Sequence, residues 1–109
     1  MKDLVERLQK EKLLFKSLKR VDPKLFGSRK KIDLYLGVNL KKYYATIIHI
    51  AKKSRILQKE AKELMLFHDK LEEYNNSVIK HKYIYIQAPL CSKAKRAFEE
   101  RGWRVFGDD

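Results

Sequence analysis

Two stretches decide the fold: Lys31-Ile32-Asp33-Leu34-Tyr35-Leu36-Gly37-Val38, and then Tyr43-Tyr44-Ala45-Thr46-Ile47-Ile48-His49-Ile50-Ala51-Lys52. In the first, Ile32, Leu34, Leu36 and Val38 recur with a period of two, so they share one face of a strand while Asp33, Tyr35 and Gly37 share the other. The second is dense in aromatic and β-branched residues, which suit a pleated, packed surface. Between them stands only the polar Asn39-Leu40-Lys41-Lys42, short enough to close a hairpin.

Working outward, Leu57 to about Tyr74 has a helical stripe: Leu57, Ala61, Leu64, His68 and Leu71, widened by Met65, Leu66 and Phe67. Asn75-Asn76-Ser77 ends it. Lys82 to Ala88 reads as a third strand, apolar on both faces and therefore interior, and Pro89 stops it. Ser92 can cap a last helix that buries Ala94, Ala97 and Phe98 and ends at Gly102. Trp103, Val105 and Phe106 then form a short strand. Strand, helix, strand is a right-handed crossover, which implies parallel pairing there. On the other side of the hairpin, the spacing of Leu4, Leu8, Leu14, Phe15 and Leu18 predicts an amphipathic helix over residues 2–20. Asp22-Pro23 predicts a capped short turn through Phe26, broken at Gly27. The expected order is α-β-β-α-β-α-β: one α/β domain over residues 1–109, with a mixed sheet and helices packed on it.

Composition agrees with a folded domain: 109 residues, 44% hydrophobic and 11% aromatic, are enough for a real core despite 37% charged residues. No apolar run approaches the roughly 18 residues of a membrane span. The start of the chain has acids and no continuous apolar segment, so no secretory signal is expected. A single cysteine, Cys91, cannot form an intrachain disulfide, which fits a cytoplasmic protein.

The charge is lopsided. Sixteen of the 26 basic residues and only five of the 14 acidic ones lie at or before Arg55, a net +11 against +1 for the rest. Self-repulsion opposes such crowding, and a polyanion partner is the common reason for it. Arg29, Lys30 and Lys31 enter the hairpin, Lys41 and Lys42 form its tip, and Lys52, Lys53 and Arg55 leave it. The first and third clusters should be neighbours across strands about 5 Å apart. All three are expected to converge into one rim that grips phosphates. Tyr35, Tyr43 and Tyr44 lie among them and would stack on bases if the strand were single. A lysine-rich protein with a merely solvated surface is the blander reading.

Lys31-Ile32-Asp33-Leu34-Tyr35 and Ile47-Ile48-His49-Ile50-Ala51-Lys52-Lys53-Ser54-Arg55, with the closing unit Tyr83–Val105, give the chain a resemblance to the PD-(D/E)XK nuclease superfamily. That group includes restriction enzymes and Holliday junction resolvases. The resemblance implies a restriction-endonuclease-like fold. It also implies an Asp on one strand and a Glu on the next that hold Mg²⁺ or Mn²⁺, with a Lys two residues after the Glu. Hard cations require such oxygen ligands, and alternate strand positions bring them to one face. Asp33 matches the first role, as metal ligand and catalytic acid. At the second, His49 stands where Glu belongs and Ala51 where Lys belongs, with Lys52 next along. No acid occurs between Asp33 and Glu60, so Glu60 or Glu63 on the following helix would have to move into the role, or Glu6 or Glu11 on the first helix would have to help.

His68 falls on an apolar stripe, His81 in a basic loop, and Cys91 before a helix N-terminus, where a thiol becomes more acidic. Three readings therefore stand. The first is a protein that binds nucleic acid, double-stranded DNA above all, with Asp33, His49 and Lys52 as remnants of a catalytic set. The second is a metal-dependent endonuclease using Asp33. The third is a protein-interaction module, with a homodimer as one form of it. None involves a membrane.

Overall fold

A computed structural model describes residues 2–107. In chain order the elements are α1 (Lys2–Lys10), β1 (Phe15–Val21), a 3₁₀ turn (Pro23–Phe26), β2 (Asp33–Asn39), β3 (Tyr44–Ala51), α2 (Gln58–Asn75), β4 (His81–Gln87), α3 (Ser92–Glu100) and β5 (Arg104–Gly107). The five strands lie side by side in sequence order. β1, β2 and β3 form an antiparallel meander, and β3, β4 and β5 are parallel. The hairpin, the interior position of β4 and the parallel closing unit are as the pattern implies.

The predicted helix over 2–20 is corrected: it stops at Lys10, and a strand replaces its second half. Lys12 takes a left-handed backbone, φ 61°, at the break. The pairing of β1 with β2 is irregular between Phe15 and Ser17, where a bulge inserts an extra residue. Phe15 and Leu18, three apart, consequently pack on the same side of the sheet, and a bulged strand imitates a helical period.

Side chains alternate across the sheet and build two cores. Leu34, Leu36, Ile48, Ile50, Ile84 and Ile86 face α2 and α3, meeting Leu64, Phe67, Leu71, Ala94 and Phe98. Tyr35, Ala45, Ile47, Tyr85 and Phe106 face α1, whose Leu4 and Leu8 cover them. Burying each such Leu or Ile is worth about 1.5–3 kcal/mol. Gly37 leaves no room for a larger side chain. A Cβ there would lie 3.1 Å from side-chain atoms of Ile47, Leu18 and Phe15.

Polar contacts fix the frame. Asp22 accepts from Lys24 N at 2.9 Å and Gly27 closes the turn at φ 73°, the cap and stop expected there. Cys91, one residue before the expected Ser92, occupies the N-cap of α3. Thr46, fully buried, meets His68 Nδ1 at 2.8 Å, and Glu72 accepts from Ile79 N at 2.8 Å. This chain of bonds ties α2 to β3 and to the approach of β4. Among the described residues His68, Asp69 and Glu72 offer atoms within 4.8 Å of one another. Two of the three are already engaged as just described, so the cluster reads as framework. No helix of the described residues is long and apolar enough to cross a membrane.

Candidate nucleic-acid interface

The strand directions give the sheet two unlike ends. β1, β3, β4 and β5 finish, and β2 begins, at the end carrying Asp33. They start, and β2 finishes, at the hairpin tip. Seven to eight residues at about 3.3 Å each separate the two by roughly 25 Å.

At the carboxyl end, Asp33, His49 and Tyr85 are register partners on β2, β3 and β4, all on the α1 face. Both Asp33 oxygens are taken: Oδ1 by Arg20 at 3.1 Å and Oδ2 by His49 Nδ1 at 3.2 Å. His49 Nε2 meets the Gln87 side chain at 2.5 Å, and its ring stacks on Tyr85 at 5.1 Å. With Nδ1–H given to Asp33, a neutral ring takes an amide N–H from Gln87, whereas an imidazolium gives its second proton to the Gln87 oxygen. His49 is thus held on three sides. Beside it opens a cleft of about 1240 Å³, floored by Ile32, Asp33, His49 and Ala51. Arg20, Lys24, Arg29, Lys30 and Lys31 line its walls, against the acids Asp22 and Asp33.

The first and third basic clusters are joined at this end through Glu60, although Lys52, Lys53 and Arg55 do not line the cleft. Lys30 lies 3.0 Å from Glu63 and 3.5 Å from Glu60, and Lys52 is also bonded to Glu60. Glu63 is held below the usual carboxylate range by its hydrogen bond to Lys30. Lys30 is raised by these two acids against the opposing effect of its partial burial, which is the largest single influence on it. Arg29, Lys31, Lys53 and Arg55 remain exposed.

Three expectations change. Lys52 does not join Asp33 and His49: it follows Ile48 and Ile50 onto the α2 face, and Ala51 holds the place on the cleft side. Glu60 and Glu63 are on that same far face, bound to lysines, and so do not complete an acid pair with Asp33. Lys41 and Lys42 are at the tip, a strand length away, because a hairpin puts its turn opposite its two ends. Of the tyrosines, Tyr35 is 2% exposed and locked under α1; that burial, before any nearby charge, raises its hydroxyl above the usual value. Tyr44 packs against the α2-side core, and Tyr43 alone is open.

Arg20 and Gln87 were missed. Arg20 was hidden inside the expected helix. Gln87 had a signal, since it is the polar residue that alternates with Tyr83 and Tyr85 on β4. Glu6 lies with Arg7, Lys10, Tyr85 and Gln87 around a smaller hollow on the same face, and Arg7 sits 5.9 Å from the Tyr85 ring.

The donors at Asp33 do not fit a hard divalent ion. Such an ion needs several free oxygens, and here a single carboxylate has both oxygens spent on Arg20 and His49, with an imidazole beside it.

An antiparallel meander continued by parallel strands, helices on both faces and an open cationic cleft at the strand ends define a single α/β domain with a mixed sheet. No protein-family model matches the chain, and no curated protein matches it. Among solved structures it is similar to EndoMS in apo form, with 15% identity and a TM-score of 0.57 over 96% of this chain and 44% of that one. It is similar to EndoMS in the EndoMS–dsDNA2 complex, at 13% identity and TM-score 0.55 over 95% and 42%. A repair endonuclease from Pyrococcus abyssi aligns at 14% identity and TM-score 0.52 over 84% and 38%. The chain spans less than half the length of these structures. At such identities the likeness is one of fold, and it agrees with the fold that the resemblance in sequence implied.

Proposed function

We propose that the chain binds nucleic acid, double-stranded DNA in particular, through the cleft at the carboxyl end of its sheet, and that it does so without the two-carboxylate metal chemistry of nucleases. The observation that carries this reading is the state of Asp33. It sits on the floor of a cationic cleft, but Arg20 and His49 occupy both of its oxygens, and the acids of α2 are on the other face. The cleft keeps its positive charge, while the carboxylate on its floor has both oxygens engaged by Arg20 and His49. A fold neighbour described in complex with dsDNA supports a duplex as the partner.

In this mechanism Arg29, Lys31, Lys53 and Arg55 neutralise phosphates, with Lys30 and Lys52 held behind them by Glu60. Binding then weakens steeply with salt, by about 0.9 of a logarithmic unit per phosphate contact. Replacing Arg29, Lys31, Lys53 and Arg55 together by Ala should make the slope of log K against log salt shallower by about 3–4. An unchanged slope would refute the cleft as the grip. Incubating duplex DNA with Mg²⁺ or Mn²⁺ tests the endonuclease alternative, in which Asp33 holds the metal. Cleavage by the wild type that Asp33→Asn abolishes would replace the binding reading.

A further inference from the structure

The hairpin tip is a second surface, of different chemistry. The segments that enter or leave the strands there, residues 12–18, 38–46, 78–83 and 101–105, carry eight Lys and Arg and no Asp or Glu. Glu11, just past the end of α1, immediately precedes the first of these segments, whereas Glu72, Glu73, Glu99 and Glu100 belong to α2 and α3 on the opposite face of the sheet. Among the described residues, Lys41, Lys42, Lys80 and Arg104 form no ion pair.

Rings run among these charges. Tyr43 meets His81 edge-on at 6.0 Å, His81 stacks on Tyr83 at 6.1 Å, and Tyr83 stacks on Phe106 at 6.3 Å. The inner members, Tyr83 and Phe106, pack beside α1. Of the outer two, Tyr43 is 43% exposed, with Lys80 Nζ 4.2 Å from its ring centroid, and His81 is half-buried. The tip holding Tyr43 is rigid. Asn39 Oδ1 accepts from both Lys41 N and Tyr43 N at 2.9 Å, and Lys42 N bonds Asn39 O at 3.0 Å.

We propose that this tip is a binding surface for an unpaired strand of nucleic acid, with Tyr43 and His81 stacking on bases and Lys41, Lys42, Lys80 and Arg104 meeting the phosphates. A duplex keeps its bases stacked inside, so rings set among cations at a strand edge add nothing to gripping one. For a single strand, each exposed ring contributes a stacking partner that any base can use. Lys80 fits both states: it covers the Tyr43 ring in the free protein and moves to a phosphate when a base takes its place. The surface is separate from the cleft and does not depend on the duplex reading.

The test compares fluorescently labelled oligo-dT with a base-free deoxyribose-phosphate strand of equal length, by anisotropy on the full chain. Charge alone binds both equally; stacking favours oligo-dT by on the order of tenfold or more. That preference should vanish in Tyr43→Ala/His81→Ala, survive in Tyr43→Phe, and persist in the Arg29/Lys31/Lys53/Arg55→Ala variant, which loses duplex binding instead. Cross-linking with a bromouracil-substituted strand should map to Tyr43 or His81. Equal affinity for the two strands, a preference untouched by Tyr43→Ala/His81→Ala, or cross-links confined to the cleft would each overturn the proposal. Tighter binding to an acidic peptide than to oligo-dT would overturn it in favour of a protein partner.

Discussion

The two ends of one sheet hold similar numbers of cations and use them in opposite ways. At the carboxyl end Arg20 is tied to Asp33, and Lys30 and Lys52 share Glu60, so part of the charge is spent on fixing side chains in place. At the hairpin tip the strand-end segments contain no acid of their own, with Glu11 just before the first, and among the described residues Lys41, Lys42, Lys80 and Arg104 form no ion pair. Net charge therefore overstates the potential of the first surface and understates that of the second. A cation held by a carboxylate contributes geometry; an unpaired one contributes attraction.

The contrast fails altogether if the sheet does not hold both ends rigidly, and the largest effect is expected where they are joined. Thr46 and His68 are buried, and their bond pins α2 beneath the middle of the sheet. His68→Ala leaves the Thr46 hydroxyl buried without its partner and should cost about 1–3 kcal/mol in urea denaturation. Duplex and oligo-dT binding should weaken together. Burial pushes the His68 imidazole below its usual 6.5, with Lys82 adding to that effect and Glu72 and Asp69 opposing it. A lowered folded value means that the unfolded chain binds the proton first as pH falls. His68 thus contributes its full stabilisation above about 6.5 and loses it on acidification through the lower folded value. Stability measured from pH 7 to pH 5 should fall more steeply in the wild type than in His68→Gln. Equal slopes would remove His68 from this role.

Next in size is a change that makes the carboxyl end resemble the tip. Glu60→Gln deletes the carboxylate shared by two half-buried lysines and should destabilise the fold by about 1–2 kcal/mol, moderated by their partial exposure. The freed ammoniums should strengthen duplex binding several-fold at low salt and leave oligo-dT binding unchanged. If duplex binding weakens, Glu60 is shaping the cleft and not just restraining its charge. Asp33→Asn should act in the same direction and more weakly, releasing Arg20, which is already mostly exposed, from its ion pair.

How far this contrast was legible depends on which periodicity a residue belongs to. The meander from Ile32 to Ala51 was readable because unbroken alternation has no helical counterpart. β1 was not, since the bulge at Phe15–Ser17 places Phe15 and Leu18 on one side with a helix-like spacing. Arg20 was lost with it, and so was the partner that holds Asp33. The separation of Lys52 from His49 was legible in principle. Ile48, Ile50 and Lys52 have even numbers and Ile47, His49 and Ala51 odd ones, so the sheet alone assigns them to opposite faces. The distance of Lys41 and Lys42 from the other basic clusters was equally implicit in the hairpin. Pairing of Lys30 and Lys52 with Glu60 was beyond reach, because it depends on how α2 crosses the strand ends.

The smallest effect supplies a reporter for the two ends. Cys91 caps α3 near the close of β4, on the carboxyl side of the sheet. The backbone N–H groups of Ala94 and then Lys93, in the first turn of α3, lower the thiol below the usual value, with Arg55 assisting. More of it is thiolate at neutral pH, so alkylation by iodoacetamide should run faster at pH 7 than for an unstructured thiol of the same exposure. Arg55→Ala should slow it slightly. As the only cysteine, Cys91 gives an unambiguous signal. Duplex seated against Arg55 should protect it, and oligo-dT at the tip, a strand length away, should not. Protection by both ligands would merge the two surfaces into one, and protection by neither would move the duplex off the carboxyl end.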